Sequence, residues 1–269
     1  MKKEDSMDYQ TIILEKKGYV AIVTLNRPEK LNALNQQMHQ ELNEVLNTLD
    51  DDVETRVIII TGKGRGFCSG RDTKELFSPE EVDRRRERDL IRFASMTRPL
   101  FLPKMAKPTI AAVNGLAVGG GCLIALGTDI RIASEAARFK FPFTELGGSS
   151  ELGSSYFLPR LVGIAKACEL VFTAKWVGAK EAKEIGLVNE VVPNNDLYLA
   201  ALEMAKNISN KSPLAVRASK KGLYQGMHSD LASQLQWETL SLHYLRGTED
   251  FKEASKAFVE KRDGNFKEK

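Results

Sequence analysis

The chain of 269 residues contains 42% hydrophobic and 28% charged residues, a mixture that excludes an intrinsically disordered protein. Its 39 basic and 36 acidic side chains leave a net charge of only +3, which gives no support for a nucleic-acid partner. The opening residues, MKKEDSMDYQ, have no apolar segment of the kind that a signal peptide needs. We therefore expect a cytoplasmic globular protein with one large core and an appendage.

The cysteines and histidines limit the chemistry further. Cys68, Cys122 and Cys168 are odd in number and lack C-x-x-C spacing, which argues against a disulfide framework and a structural zinc site. The three histidines are scattered, so the sequence gives no support for metal catalysis. Cys122 stands at a glycine-rich helix start where a thiolate nucleophile is one interpretation, but a buried small side chain is the stronger one.

The first 76 residues alternate strands and helices. Residues 11–26 predict a β-hairpin, residues 29–50 an amphipathic helix and residues 57–61 a buried strand. The loop that follows, residues 62–76, has four glycines within nine residues. A solvent loop is the simplest interpretation of such a composition, and a binding loop is the alternative.

Two further features of this half of the chain carry predictions. Asp72 and Glu75 have the spacing of a capping box, in which Asp72 caps a helix and Glu75 reaches back to it. Residues 79–98 predict a highly charged helix with a run of three arginines. That run is more typical of a solvated helix face than of a phosphate site.

The most informative stretch is 109–129, TIAAVNGLAVGGGCLIALGTD, which carries no charge before its last residue. It predicts a short buried strand, an Asn-Gly turn and an apolar helix that begins at three glycines. Five glycines and the turn argue against a transmembrane helix. The missing Gly-Lys-Ser/Thr argues against a phosphate loop.

A glycine-rich helix start is suited to an oxyanion hole. The first amides of a helix have no acceptor within the helix and carry the positive end of its dipole. The amide of Gly120 is therefore a candidate donor to a developing negative charge, and the amide of Arg71, in the earlier glycine loop, is a candidate second donor. A tightly packed glycine helix without chemistry is the alternative, and this stretch alone does not decide between them.

The second half of the chain begins with a strand at 129–133 and a segment at 139–163 that carries Glu145 and Glu151 among glycines and serines. Glu151 has small neighbours, so it can stand in a cleft against a substrate, although a surface position is the commoner fate of a glutamate. Helical patterns then dominate, apart from a short strand at 189–193.

This order of elements predicts an α/β core over residues 9–205 and a helical region over residues 206–262. We expect residues 1–8 and 263–269 to form flexible tails.

Five motifs resemble the crotonase superfamily, also described as the enoyl-CoA hydratase/isomerase family, over nearly the whole chain. They are LNRPEKLNALN (25–35), GRGFCSGRDTKEL (64–76), AAVNGLAVGGGCLIALGTDIRIAS (111–134), AKEAKEIGLVNEVVP (179–193) and EDFKEASKAFVEKRDGNFK (249–267). The resemblance implies a ClpP-like spiral of ββα units with a C-terminal helical trimerisation region. It also implies a homotrimer or homohexamer that binds acyl-CoA, with coenzyme A as part of the substrate, no other cofactor, no metal, no nucleic acid and no membrane.

The resemblance also implies site residues. The two oxyanion amides of the family fall on Arg71 and Gly120, the positions that the glycine pattern indicates. Contacts to the acyl-CoA fall on Arg27, Lys30, Ala33, Leu34, Ser69, Gly70, Asp72, Thr73, Gly119, Leu123, Phe143, Phe258 and Lys261.

The chain departs from the hydratase pattern at two catalytic positions. Where hydratases of this family carry glutamates, this sequence has Leu123 and Phe143. Adding water to a double bond needs one group to activate the water and one to handle the α-proton, so this departure argues against simple hydration.

The segment ELGSSYFLPRLVG instead resembles peroxisomal-type Δ3,Δ2-enoyl-CoA isomerases, which carry one glutamate at the position of Glu151. This implies a catalytic Glu151 that moves a proton from C2 to C4, while Leu123 and Phe143 line a dry acyl pocket. Hydration, thioester hydrolysis, retro-aldol cleavage, ring-opening isomerisation and a catalytically weak acyl-CoA-binding subunit stay as alternatives. The sequence does not determine the length of the acyl chain or whether the acyl group is linear or cyclic.

Overall fold

The computed structural model describes residues 9–76, 78 and 102–269. The expected charged helix at 79–98 and the expected tail at 1–8 lie outside the described residues.

The described strands form two sheets. In chain order they are β1 (Ile12–Lys17), β2 (Val20–Leu25), β3 (Val57–Gly62), β4 (Gly66–Cys68), β5 (Thr109–Val113), β6 (Leu116–Val118), β7 (Ile130–Ser134), β8 (Arg138–Lys140), β9 (Val177–Gly178) and β10 (Glu190–Val192). The larger sheet has the order β1-β2-β3-β5-β7-β10 and is parallel except for the antiparallel β1–β2 hairpin. The smaller sheet has the order β4-β6-β8-β9, with β9 antiparallel.

The two sheets are linked by a repeated step. Along the chain, the strands β3, β5 and β7 of the larger sheet are followed directly by β4, β6 and β8 of the smaller sheet, respectively. The chain thus winds through both sheets in successive turns. The α/β class and the hairpin at 11–26 are confirmed.

The helices that the structure describes surround these sheets. They are α1 (Gln36–Asp51), α2 (Thr73–Leu76), α3 (Gly120–Gly127), α4 (Ser154–Val162), α5 (Ile164–Thr173), α6 (Ala179–Glu184), α7 (Leu197–Ser209), α8 (Pro213–Gly226), α9 (Leu231–Arg246) and α10 (Glu249–Glu260).

The larger sheet is buried on both faces, as its continuous apolar strands require. Because side chains alternate along a strand, Ile58 and Ile60 join the main core while Val57 and Ile59 face the other way, into a second cluster. Helix α1 covers the first face with Met38, Leu42, Val45, Leu46 and Leu49. Helix α7 covers the second face with Leu197, Ala201, Leu202 and Ala205.

Helix α1 begins at Gln36, later than the apolar spacing predicted. Residues Pro28–Lys30 form a separate 3-10 turn, and the two residues after it adopt left-handed φ values of 50° and 57°. Asn35 then caps α1, since its side-chain oxygen accepts the N–H of Met38 at 2.9 Å. The resulting loop before α1 is part of the candidate site.

The residues after 262 are not a free tail in the structure, which corrects the expectation for 263–269. Phe266 is buried, and its carbonyl accepts a hydrogen bond from Arg56 at 2.7 Å. The N–H of Lys267 donates to Asp250 at 2.8 Å, and Glu268 pairs with Arg217 at 2.5 Å. The sequence pattern missed this because the segment is anchored by one aromatic residue and by contacts to residues that are distant in sequence.

Candidate functional site

Two loops are joined side by side at the centre of the candidate site. The N–H of Leu34 donates to the carbonyl of Gly70 at 2.7 Å, and the N–H of Asp72 donates to the carbonyl of Leu34 at 3.0 Å. The N–H of Ser69 donates to the carbonyl of Leu31 at 2.9 Å. These bonds flank Arg71 and fix the orientation of its peptide, the predicted source of one oxyanion donor.

Asn32 is a site residue that the sequence analysis missed. Its buried side chain donates to the carbonyls of Lys63 at 3.0 Å and Gly66 at 2.8 Å, and its oxygen accepts the N–H of Arg27 at 2.9 Å. It also holds a left-handed φ of 57°, a conformation that asparagine tolerates well. The sequence offered one signal for this role, because Asn32 directly precedes Ala33, a predicted acyl-CoA contact.

Arg27 and Asp72, both predicted CoA contacts, bind each other. An Arg27 guanidinium nitrogen lies 3.0 Å from a carboxylate oxygen of Asp72, and another donates to the Ala33 carbonyl at 2.6 Å. Asp72 also accepts the N–H of Lys74 at 3.2 Å. The expected capping box is wrong in its second half, because Glu75 accepts the N–H of Gln36 at 3.0 Å instead of reaching back.

The two predicted oxyanion positions lie next to each other. A Cβ built on Gly120 would stand 3.8 Å from the amide nitrogen of Arg71, and one built on Gly70 would stand 3.4 Å from the amide nitrogen of Gly120. Gly119, with a φ of 48°, turns the chain into α3 and donates its N–H to the carbonyl of Lys140 at 3.0 Å. The structure therefore brings the two amides together from segments about 50 residues apart in sequence, as a hole for one oxygen requires.

The three helix-start glycines have different roles. A Cβ on Gly121 would lie 2.0 Å from the carbonyl oxygen of Cys68, so this glycine allows α3 to pack against β4. Gly121 is therefore required for packing and not for the approach of a substrate atom. At Gly120 the nearest atom to such a Cβ is a side-chain carbon of Leu34 at 3.0 Å.

The cysteines within and beside this helix are buried, which disfavours their thiolate forms. Burial raises the pKa of the Cys68 thiol to about 12 and raises the pKa of Cys122 as well. Cys122 donates to the carbonyl of Ala117 at 2.9 Å and stands 3.3 Å from that of Lys140. Cys122 is the buried small side chain that its apolar surroundings predicted.

The positions where hydratases carry glutamates are apolar and buried. Leu123 is 6% exposed and Phe143 is 7% exposed, and both belong to the main core cluster. Leucine and phenylalanine side chains have no titratable group, so neither position supplies a proton or a base.

Glu151 stands in an exposed loop that ends at α4. Leu152 and Gly153 have left-handed φ values of 50° and 86°, which turn the chain into the helix. The carbonyl of Glu151 accepts the N–H of Ser154 at 2.9 Å, while its side chain is exposed. The other glutamate of the segment, Glu145, pairs with Lys140 at 2.7 Å.

Four of the predicted contacts are exposed at the surface. Phe258 is 86% exposed on α10, and Lys261 ends that helix with a φ of 51°. Lys30 and Thr73 are exposed at the edge of the joined loops, where a ligand can reach them.

The described residues contain no cluster of three or more potential metal ligands. None of the helices within 9–76 and 102–269 has the length and apolarity to cross a bilayer.

Comparison with known proteins gives consistent matches along the chain. A family profile described as "Enoyl-CoA hydratase/isomerase" matches residues 15–269. The chain is 41% identical over 259 residues to the short-chain-enoyl-CoA hydratase of Clostridium acetobutylicum, covering 95% of this chain and 97% of that protein. It is 38% identical over 263 residues to the crotonyl-CoA hydratase of Syntrophomonas wolfei, covering 97% and 99% of the two chains. The crystal structure of an enoyl-CoA hydratase from Bacillus anthracis superimposes with a TM-score of 0.89 at 35% identity, covering 97% of this chain and 100% of that one.

Proposed function

The chain belongs to the enoyl-CoA hydratase/isomerase family, and we propose that it is an enzyme that shifts a double bond within an acyl-CoA by proton transfer. Its crotonase fold is the one that the motifs predicted. Enzymes of this family need no cofactor beyond the coenzyme A of their substrate.

The adjacent amides of Arg71 and Gly120 support the first half of this proposal. A thioester whose carbonyl oxygen enters the hole between them gains acidity at C2, since its enolate oxygen is stabilised by two donors. Each preorganised donor of this kind lowers a barrier by about 2.7 to 4 kcal/mol. The ordered loops that hold the two amides give the donors their orientation before the substrate arrives.

The carboxylate of Glu151 supports the second half of the proposal, the transfer of a proton from C2 to C4. Glu151, ionised, takes a proton from C2 of a 3-enoyl thioester, and the electron pair moves through C1 onto the thioester oxygen. Glu151, now protonated, returns the proton at C4 as the double bond forms between C2 and C3. The reaction conserves atoms and charge and needs no second acid or base, so the apolar Leu123 and Phe143 do not obstruct it.

Hydration is the second candidate, and the names of the relatives favour it. The proteins from Clostridium acetobutylicum and Syntrophomonas wolfei are both named as hydratases. Under this candidate Glu151 alone activates the water and handles the α-proton. The absence of a carboxylate at position 123 or 143 is the single observation that carries isomerisation over it.

We also propose that the protein is a homotrimer or homohexamer. The apolar side chains that α9 leaves exposed on two opposite sides of the helix support this proposal, because exposed apolar surface of this kind is typical of subunit interfaces. They are Leu231, Leu235, Leu240, Leu242 and Tyr244. Sedimentation equilibrium of the full chain measures the subunit number directly.

Product analysis separates the two candidate reactions. The purified protein is incubated in deuterated water with 3-cis, 3-trans and 2-trans enoyl-CoA esters, and the products are identified by mass spectrometry. Isomerisation predicts 2-enoyl products from both 3-enoyl esters and little hydration of the 2-enoyl ester. A 2-enoyl ester that gains one water at the faster rate would make hydration the function.

A further inference from the structure

Lys140, at the end of β8, contacts both halves of the candidate site. Its carbonyl accepts the N–H of Gly119 at 3.0 Å, immediately before the donor amide of Gly120. Its ammonium nitrogen lies 2.7 Å from a carboxylate oxygen of Glu145, in the loop that leads to Glu151. One residue thus links the oxyanion turn to the loop of the proposed acid/base.

That loop begins as a compact turn. The N–H of Leu146 donates to the carbonyl of Pro142 at 3.1 Å, and the N–H of Gly148 donates to the carbonyl of Phe143 at 2.8 Å. Glu151 follows this turn after three residues and precedes α4 by three. A shift of the turn therefore moves Glu151, because little chain separates them.

Besides the packing of Phe143 in the core, two polar side-chain contacts among the described residues tie this turn to its neighbours. The Thr144 hydroxyl donates to the carbonyl of Val171 at 2.7 Å, on α5. The second contact is the Lys140–Glu145 pair, whose side chains are 18% and 54% exposed. Of the two, the ion pair is the one that also reaches the oxyanion turn.

The aromatic ring of Trp176 limits the freedom of Lys140. Strands β8 and β9 pair antiparallel with Phe139 opposite Val177, which brings Trp176 beside Lys140. The Lys140 ammonium lies 5.6 Å from the centre of the indole ring, and the Arg138 guanidinium lies 4.9 Å from it. Cation–π contact of this kind holds the lysine stem in place, so less conformational entropy is lost when it pairs with Glu145.

We propose that Lys140 is a positioning residue whose ion pair with Glu145 sets the place of Glu151 relative to the amide of Gly120. The proposal deepens the proposed function, since it rests on Glu151 as the acid/base. Lys140→Met isolates the effect: the main-chain contact to Gly119 and an unbranched stem on Trp176 are kept, and the charge is removed.

The test compares Lys140→Met, Glu145→Gln, the double variant and the charge swap Lys140→Glu with Glu145→Lys. Lys16→Met is the control, because it breaks a remote ion pair of 2.9 Å with Asp52. We expect each single variant to lower kcat about 3- to 20-fold with KM within about twofold, and the double variant to lose no more than either single. We expect the charge swap to restore part of the wild-type rate and Lys16→Met to keep the full wild-type rate.

Hydrogen–deuterium exchange gives a readout that does not depend on turnover. Exchange of the amides in residues 142–152 becomes faster in Lys140→Met and Glu145→Gln and stays unchanged in Lys16→Met. If the unmodified protein turns over neither enoyl ester, the proposed function fails and exchange alone decides the positioning role. Unchanged exchange in the two site variants, an unchanged kcat, or single losses that multiply in the double variant would each overturn the proposal.

Discussion

Arg27 and Asp72 form an ion pair in which a guanidinium nitrogen and a carboxylate oxygen are 3.0 Å apart, with only 17% and 13% of the side chains exposed. The pair joins the loop before α1 to the loop after β4. Because these loops flank the amide of Arg71, the ion pair orders one wall of the oxyanion hole before a substrate binds. Such preorganisation reduces the conformational entropy that binding must otherwise remove.

Removing the Arg27 charge tests this wall. Arg27→Met leaves the mostly buried Asp72 carboxylate without its cation, so we expect the free energy of unfolding to fall by about 1 to 3 kcal/mol. We also expect KM for the CoA ester to rise about fivefold, as measured by urea unfolding and steady-state kinetics. Lys252→Met removes an exposed pair with Glu249 and serves as the control. Equal losses of stability in the two variants would contradict the role of the Arg27 pair.

The substitution Gly70→Ala tests the oxyanion hole, because it changes the backbone geometry without changing a polar side chain. Its φ is 89°, and a Cβ there would lie 2.6 Å from the carbonyl oxygen of Val118, so Gly70→Ala displaces the peptide that follows it. We expect kcat to fall about 100-fold or more, the cost of one misplaced donor.

The matched control is Gly18→Ala in the β1–β2 turn. Gly18 has a φ of 58° and no atom within 4 Å of an added Cβ, so only the left-handed backbone penalty of about 1 to 2 kcal/mol applies. Full kcat in Gly18→Ala beside a large loss in Gly70→Ala is the expected pattern. Full kcat in both variants would show that the Gly70 loop does not set the donors.

Alkylation distinguishes the three thiols. Cys68 and Cys122 are buried while Cys168 is partly exposed, and burial raises the pKa of both buried thiols, so few thiolates form there. We expect iodoacetamide to modify Cys168 first in the folded protein and all three cysteines after urea unfolding, by peptide mass spectrometry. Rapid loss of activity together with modification of Cys122 would reopen the nucleophile interpretation.

The lowered pKa of Asp52 predicts that the stability of the fold depends on pH. Burial acts to raise its pKa, but hydrogen bonds from Thr55 and Lys16 outweigh that effect and lower the pKa to about 2 from 3.8. Because the folded-state pKa is the lower one, the stabilisation is present above pH 4 and is lost as the pH falls towards 2. After allowance for solvent screening near the half-exposed Lys16 it amounts to about 1 kcal/mol.

The measurement compares urea unfolding of the wild type and Asp52→Asn across this range. The variant is expected to be less stable by about 1 kcal/mol at pH 6, with the difference closing below pH 3. A difference that stays constant from pH 6 to pH 2.5 would show that the carboxylate charge is not the stabilising feature.

Periodicity and glycine placement predicted the fold well because they report on local backbone geometry. The strand before Asn114, the glycine start of α3 and the four C-terminal helices α7–α10 agree with the structure. The same local logic indicated Gly120 as a donor, since the first amides of a helix lack acceptors wherever that helix stands.

The parts that failed depend on partners far away in sequence. Glu75 has a capping-box spacing, but its carboxylate accepts the N–H of Gln36 at the N-terminus of α1 instead. Residues 263–269 look polar and unstructured, yet Arg56 and Arg217 hold them from distant elements. Asn32 was overlooked because its three hydrogen-bonding partners come from two separate loops. Such contacts have no signature in a window of neighbouring residues.

The direct test of the central claim is the rate of Glu151→Gln with 3-enoyl-CoA esters in deuterated water. Loss of the single acid/base predicts a fall in kcat of about 100- to 10,000-fold with the CoA ester still bound, while Glu203→Gln, at an exposed position on α7, keeps the wild-type rate. Because Glu151 returns at C4 the proton that it takes from C2, direct transfer predicts little solvent deuterium at C4 of the wild-type product. Isomerisation by Glu151→Gln at the wild-type rate would contradict the account and assign the proton transfer to another group.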